Sequence, residues 1–157
     1  MARQLDCYSC VKNAAPPESL PPREGVYDDG LWRVAHAFTS SLSGWMVIVA
    51  HRHIESLSEM TPAEAEALGP LIQRLSAALE AVTDAAKCYV IFLAEAPGFA
   101  HSHIHIVPRL PDAPSERLGA GALEYLGQPE SEWLTPAQMD HISTEVREHM
   151  RRKRDDP

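Results

Sequence analysis

Three histidines occur at alternate positions in the segment "GFAHSHIHIVPR". Side chains two residues apart point to the same side of a β-strand, so this spacing predicts a strand with His101, His103 and His105 on one face. Ile104 and Ile106 would then lie on the other face and pack against a core. Because a buried imidazole needs partners for two nitrogens, we expect the histidine face to border a solvent-accessible cleft.

Two kinds of chemistry suit such a row of imidazoles. In the first, one neutral ring attacks a phosphate and its neighbours donate hydrogen bonds to the phosphate oxygens. The ordinary pKa of histidine, about 6.5, leaves much of the ring neutral at cytoplasmic pH. In the second, the row binds a catalytic metal and requires a further carboxylate or histidine ligand nearby. The residue pattern alone leaves both interpretations open.

A CxxC pair, Cys7 and Cys10, stands near the N-terminus. It supplies two of the four ligands of a structural zinc site, with unbound thiols and a redox pair as alternatives. A redox pair should begin a helix, whereas the Pro-rich stretch "VKNAAPPESLPPREG" predicts a surface loop. In "VIVAHRHIESLSEM", His51 and His53 follow a predicted strand and are either the missing ligands or exposed loop histidines.

The order of the remaining elements predicts an α+β domain. Strands are expected at residues 31–38, at "GWMVIVA", at "KCYVIFLA" and at the histidine segment, and helices begin at the capping motifs "TPAE" and "TPAQ". Pro70 is expected to kink or end the first helix. We expect one domain over residues 1–157, with a motif-bearing body at 7–109, a loop at 110–134 and a C-terminal helix at 135–152.

Charge and cysteine content narrow the class of protein. The formal net charge of −8 argues against a nucleic-acid duplex or an anionic membrane as partner. No apolar run approaches the roughly 20 residues that span a bilayer, and "MARQLDCYSC" lacks the apolar core of a secretory signal. Three cysteines, an odd number, argue against a disulfide framework. A cytoplasmic location is therefore expected.

The motif "HSHIHIV", with "VIVAHRHIESLSEM" before it, resembles the signature of the histidine triad (HIT) superfamily, and the CxxC resembles its zinc-bearing type. The resemblance spreads over most of residues 7–109 and extends to the diadenosine polyphosphate hydrolase-like members. It implies a HIT-like α+β fold with an antiparallel sheet of about five strands and two helices. It also implies a homodimer that acts as a nucleotidyl hydrolase or transferase on a nucleotide or dinucleotide.

The resemblance assigns roles to individual residues. His103, the middle histidine, would be the nucleophile that forms a nucleotidyl-histidine intermediate at an α-phosphate, and His105 would hydrogen-bond the phosphate. Arg109, directly after the triad, is expected either to contact phosphate or to be a solvated strand-end arginine. A structural zinc ion would be held by four ligands: Cys7, Cys10, His53 and His101.

The chain departs from the family pattern at several positions. Ala37 stands where many members carry an Asp that holds the ribose, Ala94 where they carry an Asn, and Ser102 replaces an apolar residue. The turn "APGFA" lacks the usual Gln or Ser. These departures keep open a zinc-stabilised nucleotide-binding module without catalysis, and a metalloenzyme with the ion on the triad is the third alternative.

Overall fold

A computed structural model describes residues 7–152; residues 1–6 and 153–157, which the single-domain prediction includes, lie outside the described residues. The predicted α+β fold with an antiparallel sheet of about five strands is confirmed. The strands, paired in the order β1-β2-β3-β5-β4, are β1 (Tyr27–Asp28), β2 (Trp32–His36), β3 (Met46–Ala50), β4 (Lys87–Phe92) and β5 (His103–Arg109). The helices are α1 (Tyr8–Ala14), α2 (Pro62–Thr83) and α3 (Pro136–Arg152).

The histidine segment lies inside the sheet, because β5 pairs with β3 on one side and with β4 on the other. His103 is opposite Val49 and His105 is opposite Val47. The alternating Ile104 and Ile106 are buried on the other face, in a core shared with α2 and α3. The two helices therefore cover the face of the sheet that carries Ile104 and Ile106. They do not cover the opposite face, which carries His103.

Helix α1 corrects the prediction that the chain after the CxxC is all loop. Cys7 is its N-cap residue and Cys10 lies in its first turn. The helix ends at Ala14 because prolines follow, and Pro17–Ser19 and Pro22–Glu24 form 3-10 turns instead. The CxxC thus does begin a helix, contrary to the expectation used above against a redox pair.

The two longer helices begin at the predicted motifs. In α2 the side chains of Thr61 and Glu64 each accept a hydrogen bond from the other's backbone N–H, which forms a capping box. Pro70 lies within α2 and does not end it. The helix ends at Thr83, and the next residue, Asp84, has a left-handed backbone (φ 56°) that an aspartate tolerates better than most residues. Thr135 and Gln138 form the corresponding cap of α3.

Glu64 also joins α2 to the turn that carries His53. Its buried carboxylate accepts two hydrogen bonds from the Arg52 guanidinium, at 2.7 and 2.8 Å. The Arg52 contact, followed by the bonds from Thr61, lowers the pKa of Glu64 to about 2 despite the opposing effect of burial. A carboxyl whose pKa is lower in the folded state stabilises the protein above its unfolded pKa, and this contribution disappears as the pH falls toward the folded pKa.

We therefore expect acid to weaken the wild-type fold between about pH 4.3, the ordinary pKa of a glutamate, and pH 2. Glu64→Gln should be less stable at neutral pH and should lose less stability over this interval. Urea unfolding followed by circular dichroism at several pH values measures both effects. Glu66→Gln, at an exposed position of the same helix, is the control; an equal effect there would contradict the assignment.

Residues 110–134, predicted as a loop, contain 3-10 helices at Ser115–Arg117, Gly119–Leu126 and Glu130–Glu132. Ala122 and Tyr125 are buried in a second core that includes Trp45 and Val107. This segment therefore packs on the sheet and is not a free loop. Within residues 7–152, no helix is both long and apolar enough to cross a membrane.

Candidate active site and metal centre

The strand β5 presents His103 and His105 to a pocket of about 440 Å³. The same wall includes Ala35, Val47 and Val49, since these β2 and β3 residues share the face of the sheet that the helices leave uncovered. The rings of His103 and His105 lie 4.9 Å apart between centroids. The sequence predicted a cleft beside the row of imidazoles, and the structure confirms it for His103 and His105.

Hydrogen bonding orients the His103 ring. Its Nδ1 lies 2.7 Å from the backbone oxygen of His101, and a carbonyl can only accept, so Nδ1 carries the proton. The neutral ring then has its lone pair on Nε2. His103 is partly exposed, so this nitrogen belongs to a side chain that solvent and ligands can reach. The arrangement suits a nucleophile.

His105 has the opposite tautomer. The indole Nε1–H of Trp45 donates to His105 Nδ1 over 2.9 Å, so the proton of the neutral ring is on Nε2. Burial, with a smaller effect of the neighbouring His103, lowers the pKa of His105 to about 4. His105 is therefore neutral at pH 7 and is a hydrogen-bond donor toward the pocket. The sequence analysis did not identify Trp45 as a partner of the triad, because the contact depends on the pairing of β3 with β5.

Trp45→Phe should reduce turnover about tenfold, because the substitution leaves His105 Nδ1 as a buried acceptor without a donor. The ring can then take up the other tautomer, which removes the Nε2–H donor. Imidazole ¹⁵N chemical shifts of His105 should report the change directly, and steady-state kinetics should report its effect on kcat.

The matched control is Trp32→Phe. Trp32 is equally buried and its indole donates to the Glu64 backbone oxygen over 3.0 Å, on the helix-covered side of the sheet. This variant should lose stability without a change in the His105 ¹⁵N shifts. Unchanged His105 shifts in Trp45→Phe would contradict the positioning role.

His101 does not share the pocket with the other two histidines. It precedes β5, is fully buried, and lies with Cys7, Cys10 and His53, so the structure brings the four predicted metal ligands together. Its Nδ1 is 3.4 Å from Cys7 Sγ, 3.5 Å from Cys10 Sγ and 3.2 Å from His53 Nδ1. Cys10 Sγ and His53 Nδ1 are 3.3 Å apart.

These distances fit one tetrahedral ion. Zinc bonds of about 2.0 Å to nitrogen and about 2.3 Å to sulfur place neighbouring donors about 3.3 to 3.8 Å apart. The His101 ring is also oriented for this role, because its Nε2–H donates to the Ala50 backbone oxygen over 2.6 Å and leaves Nδ1 free to bind metal. Asn13 Nδ2 donates to the same oxygen over 2.8 Å, a supporting contact that the sequence did not reveal.

The pKa of the Cys10 thiol argues against a redox role for the CxxC, although the pair does begin a helix. Burial, with the neighbouring Cys7, raises the pKa of the Cys10 thiol to about 11. A reactive CxxC needs a thiol whose pKa is lowered instead. The metal-binding interpretation is favoured for this pair.

Aromatic side chains from three separate segments form a cluster in the wall of the pocket. Tyr8 of α1, Phe38 after β2 and Phe99 of the β4–β5 turn have ring centroids 5.3 to 5.8 Å apart. The Tyr8 hydroxyl donates to Glu24, which also forms a buried ion pair with Arg33 at 3.0 Å. Burial and the Glu24 contact raise the pKa of Tyr8, so its hydroxyl keeps the proton that it donates. The three rings come from residues far apart in the sequence, so no local pattern predicted that they would form a cluster.

The HIT domain family model matches residues 21–112 of the chain. The chain belongs to the HIT family. The matched segment contains His53 and the three triad histidines, whereas Cys7 and Cys10 precede it. At the level of the family, HIT proteins bind nucleotides and are nucleotidyl hydrolases or transferases. Comparison with curated protein sequences finds no match.

Solved structures of several proteins share the fold. A Zn-bound histidine triad family protein from Mycobacterium smegmatis aligns with a TM-score of 0.66 and 14% identity over 96% of this chain and 97% of its own. A histidine triad protein from Bradyrhizobium japonicum aligns with a TM-score of 0.63 and 20% identity over 80% and 89% of the two chains. A uridylyltransferase mutant aligns with a TM-score of 0.63 and 19% identity over 94% of this chain but 48% of its own.

Two departures from the HIT pattern lie in the pocket wall. Ala37 and Ala94 both line the pocket, and Ala94 has a left-handed backbone (φ 52°). Methyl groups therefore stand at the two positions where the family resemblance implies an Asp and an Asn. Ser102 is buried, and its hydroxyl has no hydrogen-bond partner among the described residues.

Arg109 does not line the pocket. It is the last residue of β5 and lies four residues beyond His105, which corresponds to about 13 Å along a strand. The substrate contact suggested for Arg109 from the sequence is not supported by this position. His51 is not part of the metal centre either, because its Nε2 lies 2.8 Å from Asp28 Oδ1 at the surface.

Proposed function

We propose that this HIT protein is a nucleotidyl hydrolase or transferase that cleaves a phosphoanhydride or phosphoramidate bond at a nucleotide α-phosphate. The observation that carries the proposal is the pair of complementary tautomers in one pocket. His103 offers an unprotonated Nε2, whereas His105 offers a protonated one. Nucleophile and phosphate-binding donor are therefore neighbours in the same strand.

In the first step, His103 Nε2 attacks the α-phosphorus. A nitrogen–phosphorus bond forms, and the bond between phosphorus and the leaving group breaks with its electron pair on the leaving group. The His101 carbonyl that accepts from His103 Nδ1–H stabilises the positive charge on the ring. His105 Nε2–H donates to a phosphate oxygen where negative charge increases.

In the second step, water or an acceptor hydroxyl attacks the same phosphorus. The nitrogen–phosphorus bond breaks, its electrons return to His103, and the attacking group releases its proton to solvent. The product is a nucleoside monophosphate or its ester. Diadenosine tetraphosphate and nucleoside phosphoramidates are the substrate classes to test first.

We further propose that Cys7, Cys10, His53 and His101 hold a structural zinc ion. When bound, zinc supplies a crosslink between α1, the turn after β3 and the segment that leads into β5. That crosslink would fix the His101 carbonyl, which is the acceptor for His103. The geometry of the four donors supports this role. Homodimer assembly and a cytoplasmic location, both expected from the sequence, stay proposals.

A binding module without catalysis is the second candidate, favoured by the methyl groups of Ala37 and Ala94 in the pocket wall. A panel of dinucleoside polyphosphates and nucleoside phosphoramidates, analysed by mass spectrometry, separates the two. Products and a nucleotide adduct on His103 are expected for the enzyme. Saturable binding of these compounds without any product would instead show that the protein is a binding module without catalysis.

A triad that binds its own catalytic ion is the least supported alternative. The ring of His101 belongs to the cysteine-containing cluster, and the Nδ1 atoms of His103 and His105 already have hydrogen-bond partners. The three rings therefore do not converge on one point as ligands must.

A further inference from the structure

A second cavity of about 380 Å³ lies beside the edge strand β1, between helices α2 and α3 and the Pro-rich segment. Of the described residues, only Arg33 lines both this cavity and the triad pocket. This second cavity lies on the helix-covered side of the sheet, where α2 and α3 supply Arg74, Arg147 and Met150, whereas His103 and His105 lie on the other face. Nothing in the proposed phosphoryl chemistry uses it.

Arginines dominate the polar lining of this cavity. Besides Arg33, it contains Arg74 of α2 together with Arg147 and Arg151 of α3. Arg33 is paired with Glu24, but the other three form no ion pair with any residue in the range 7–152. The whole chain carries a formal charge of −8, so acidic residues are abundant elsewhere. Composition therefore does not explain why three cations without an ion-pair partner in that range surround one cavity.

The single carboxylate that lines the cavity does not neutralise the charges of these arginines. Asp28 is the one carboxylate among the lining residues, and its Oδ1 already lies 2.8 Å from His51 Nε2. The remaining side chains of the wall include a tyrosine and four apolar residues, namely Tyr27, Pro17, Leu20, Val26 and Met150.

Two of the arginines have buried donors without acceptors. The Nε atoms of Arg74 and Arg147 are inaccessible to solvent and have no hydrogen-bond partner among the described residues. The Arg74 guanidinium lies 5.1 Å from the centre of the Tyr27 ring, which holds it in place. A buried donor without an acceptor is costly, and such groups in a folded protein require an explanation.

We propose that this cavity is a second ligand site that binds an organic phosphate. The guanidinium group matches two phosphate oxygens with two parallel N–H donors. Bound phosphate would accept hydrogen bonds from the terminal Nη groups of Arg74 and Arg147, which line the cavity, and would neutralise the cluster. The apolar wall contacts the organic part of the ligand, which distinguishes this site from a surface patch that attracts any anion.

Pyrophosphate is the probe for the anionic part of this ligand. In ¹H–¹⁵N spectra of the full chain at low ionic strength, the Nε–H signals of Arg74 and Arg147 should shift together and saturably during the titration. Signals assigned through Arg74→Gln and Arg147→Gln identify the site without reference to activity. Calorimetry on Arg74→Gln/Arg147→Gln should show binding at this site weakened about tenfold or more, since two charge-assisted contacts are lost.

The control variant Lys87→Gln/Arg117→Gln removes the same charge at positions outside both pockets. It should bind pyrophosphate as the wild type does. Equal weakening in both variants would show that only general charge attraction is involved, and static Nε–H signals of Arg74 and Arg147 would also overturn the proposal. Phenyl phosphate should bind the wild type more tightly than inorganic phosphate does; equal affinity would refute the contribution of the apolar wall.

Discussion

His103→Ala is expected to reduce turnover of dinucleoside polyphosphates and nucleoside phosphoramidates by about a thousandfold or more. The substitution removes the Nε2 lone pair that the hydrogen bond to the His101 carbonyl exposes. His36 also lines the pocket, but its Nε2 already accepts a hydrogen bond from the Gly44 N–H. His105 cannot take over, because Trp45 holds it in the tautomer with a protonated Nε2. Steady-state kinetics and intact-mass analysis for the nucleotide adduct measure the loss.

The control for this variant is His141→Ala, since His141 is on the exposed side of α3 and lines neither pocket. It should retain wild-type kinetics. The His103→Ala protein should keep its unfolding temperature, since His103 is only partly buried. Wild-type turnover in a folded His103→Ala protein would show that His103 is not the nucleophile.

Cys7→Ser/Cys10→Ser is expected to abolish metal binding and to lower the free energy of unfolding by about 4 kcal/mol. For a chain of this size, this corresponds to a decrease in Tm of about 10 °C. The physical reason is the span of the donors: the ion would join residues that are 46 and 94 positions from Cys7 in sequence. Metal analysis and thermal unfolding, with and without a chelator, measure both quantities.

Cys88→Ser is the matched control, because Cys88 is a partly buried thiol outside the donor cluster. This variant should keep the full metal content and the chelator response of the wild type. Metal retained at full stoichiometry in Cys7→Ser/Cys10→Ser would contradict the assigned ligands and would restore the alternative of an ion on the triad.

The sequence determined the elements whose signals are local. Alternation in "HSHIHIV" predicted a strand with a polar and an apolar face, and the structure confirms this for His103 and His105 opposite Ile104 and Ile106. Capping motifs predicted the starts of α2 and α3, since Ncap and N3 side chains bond within a single turn. The family pattern then brought the four metal ligands into one group.

Other features depend on contacts between distant segments. His101 was expected in the strand but precedes it. Its ring lies in the cluster with Cys7, Cys10 and His53, and these residues are distant from it in sequence. The short helix α1 was missed because the prolines after it dominate the local signal. Trp45 meets His105 only through the register of β3 against β5, which no local pattern specifies.

The tertiary structure alone decided how the two cavities are lined. Residues 110–134 carry no helical or strand periodicity, yet Leu123 and Leu126 line the triad pocket because burial on the sheet stabilises them there. Arg74 and Arg147 lie on different helices, 73 residues apart, and share a cavity through helix packing. Alternation and capping act within a few residues and can be read along the chain, whereas strand register and helix packing are set by the whole core at once.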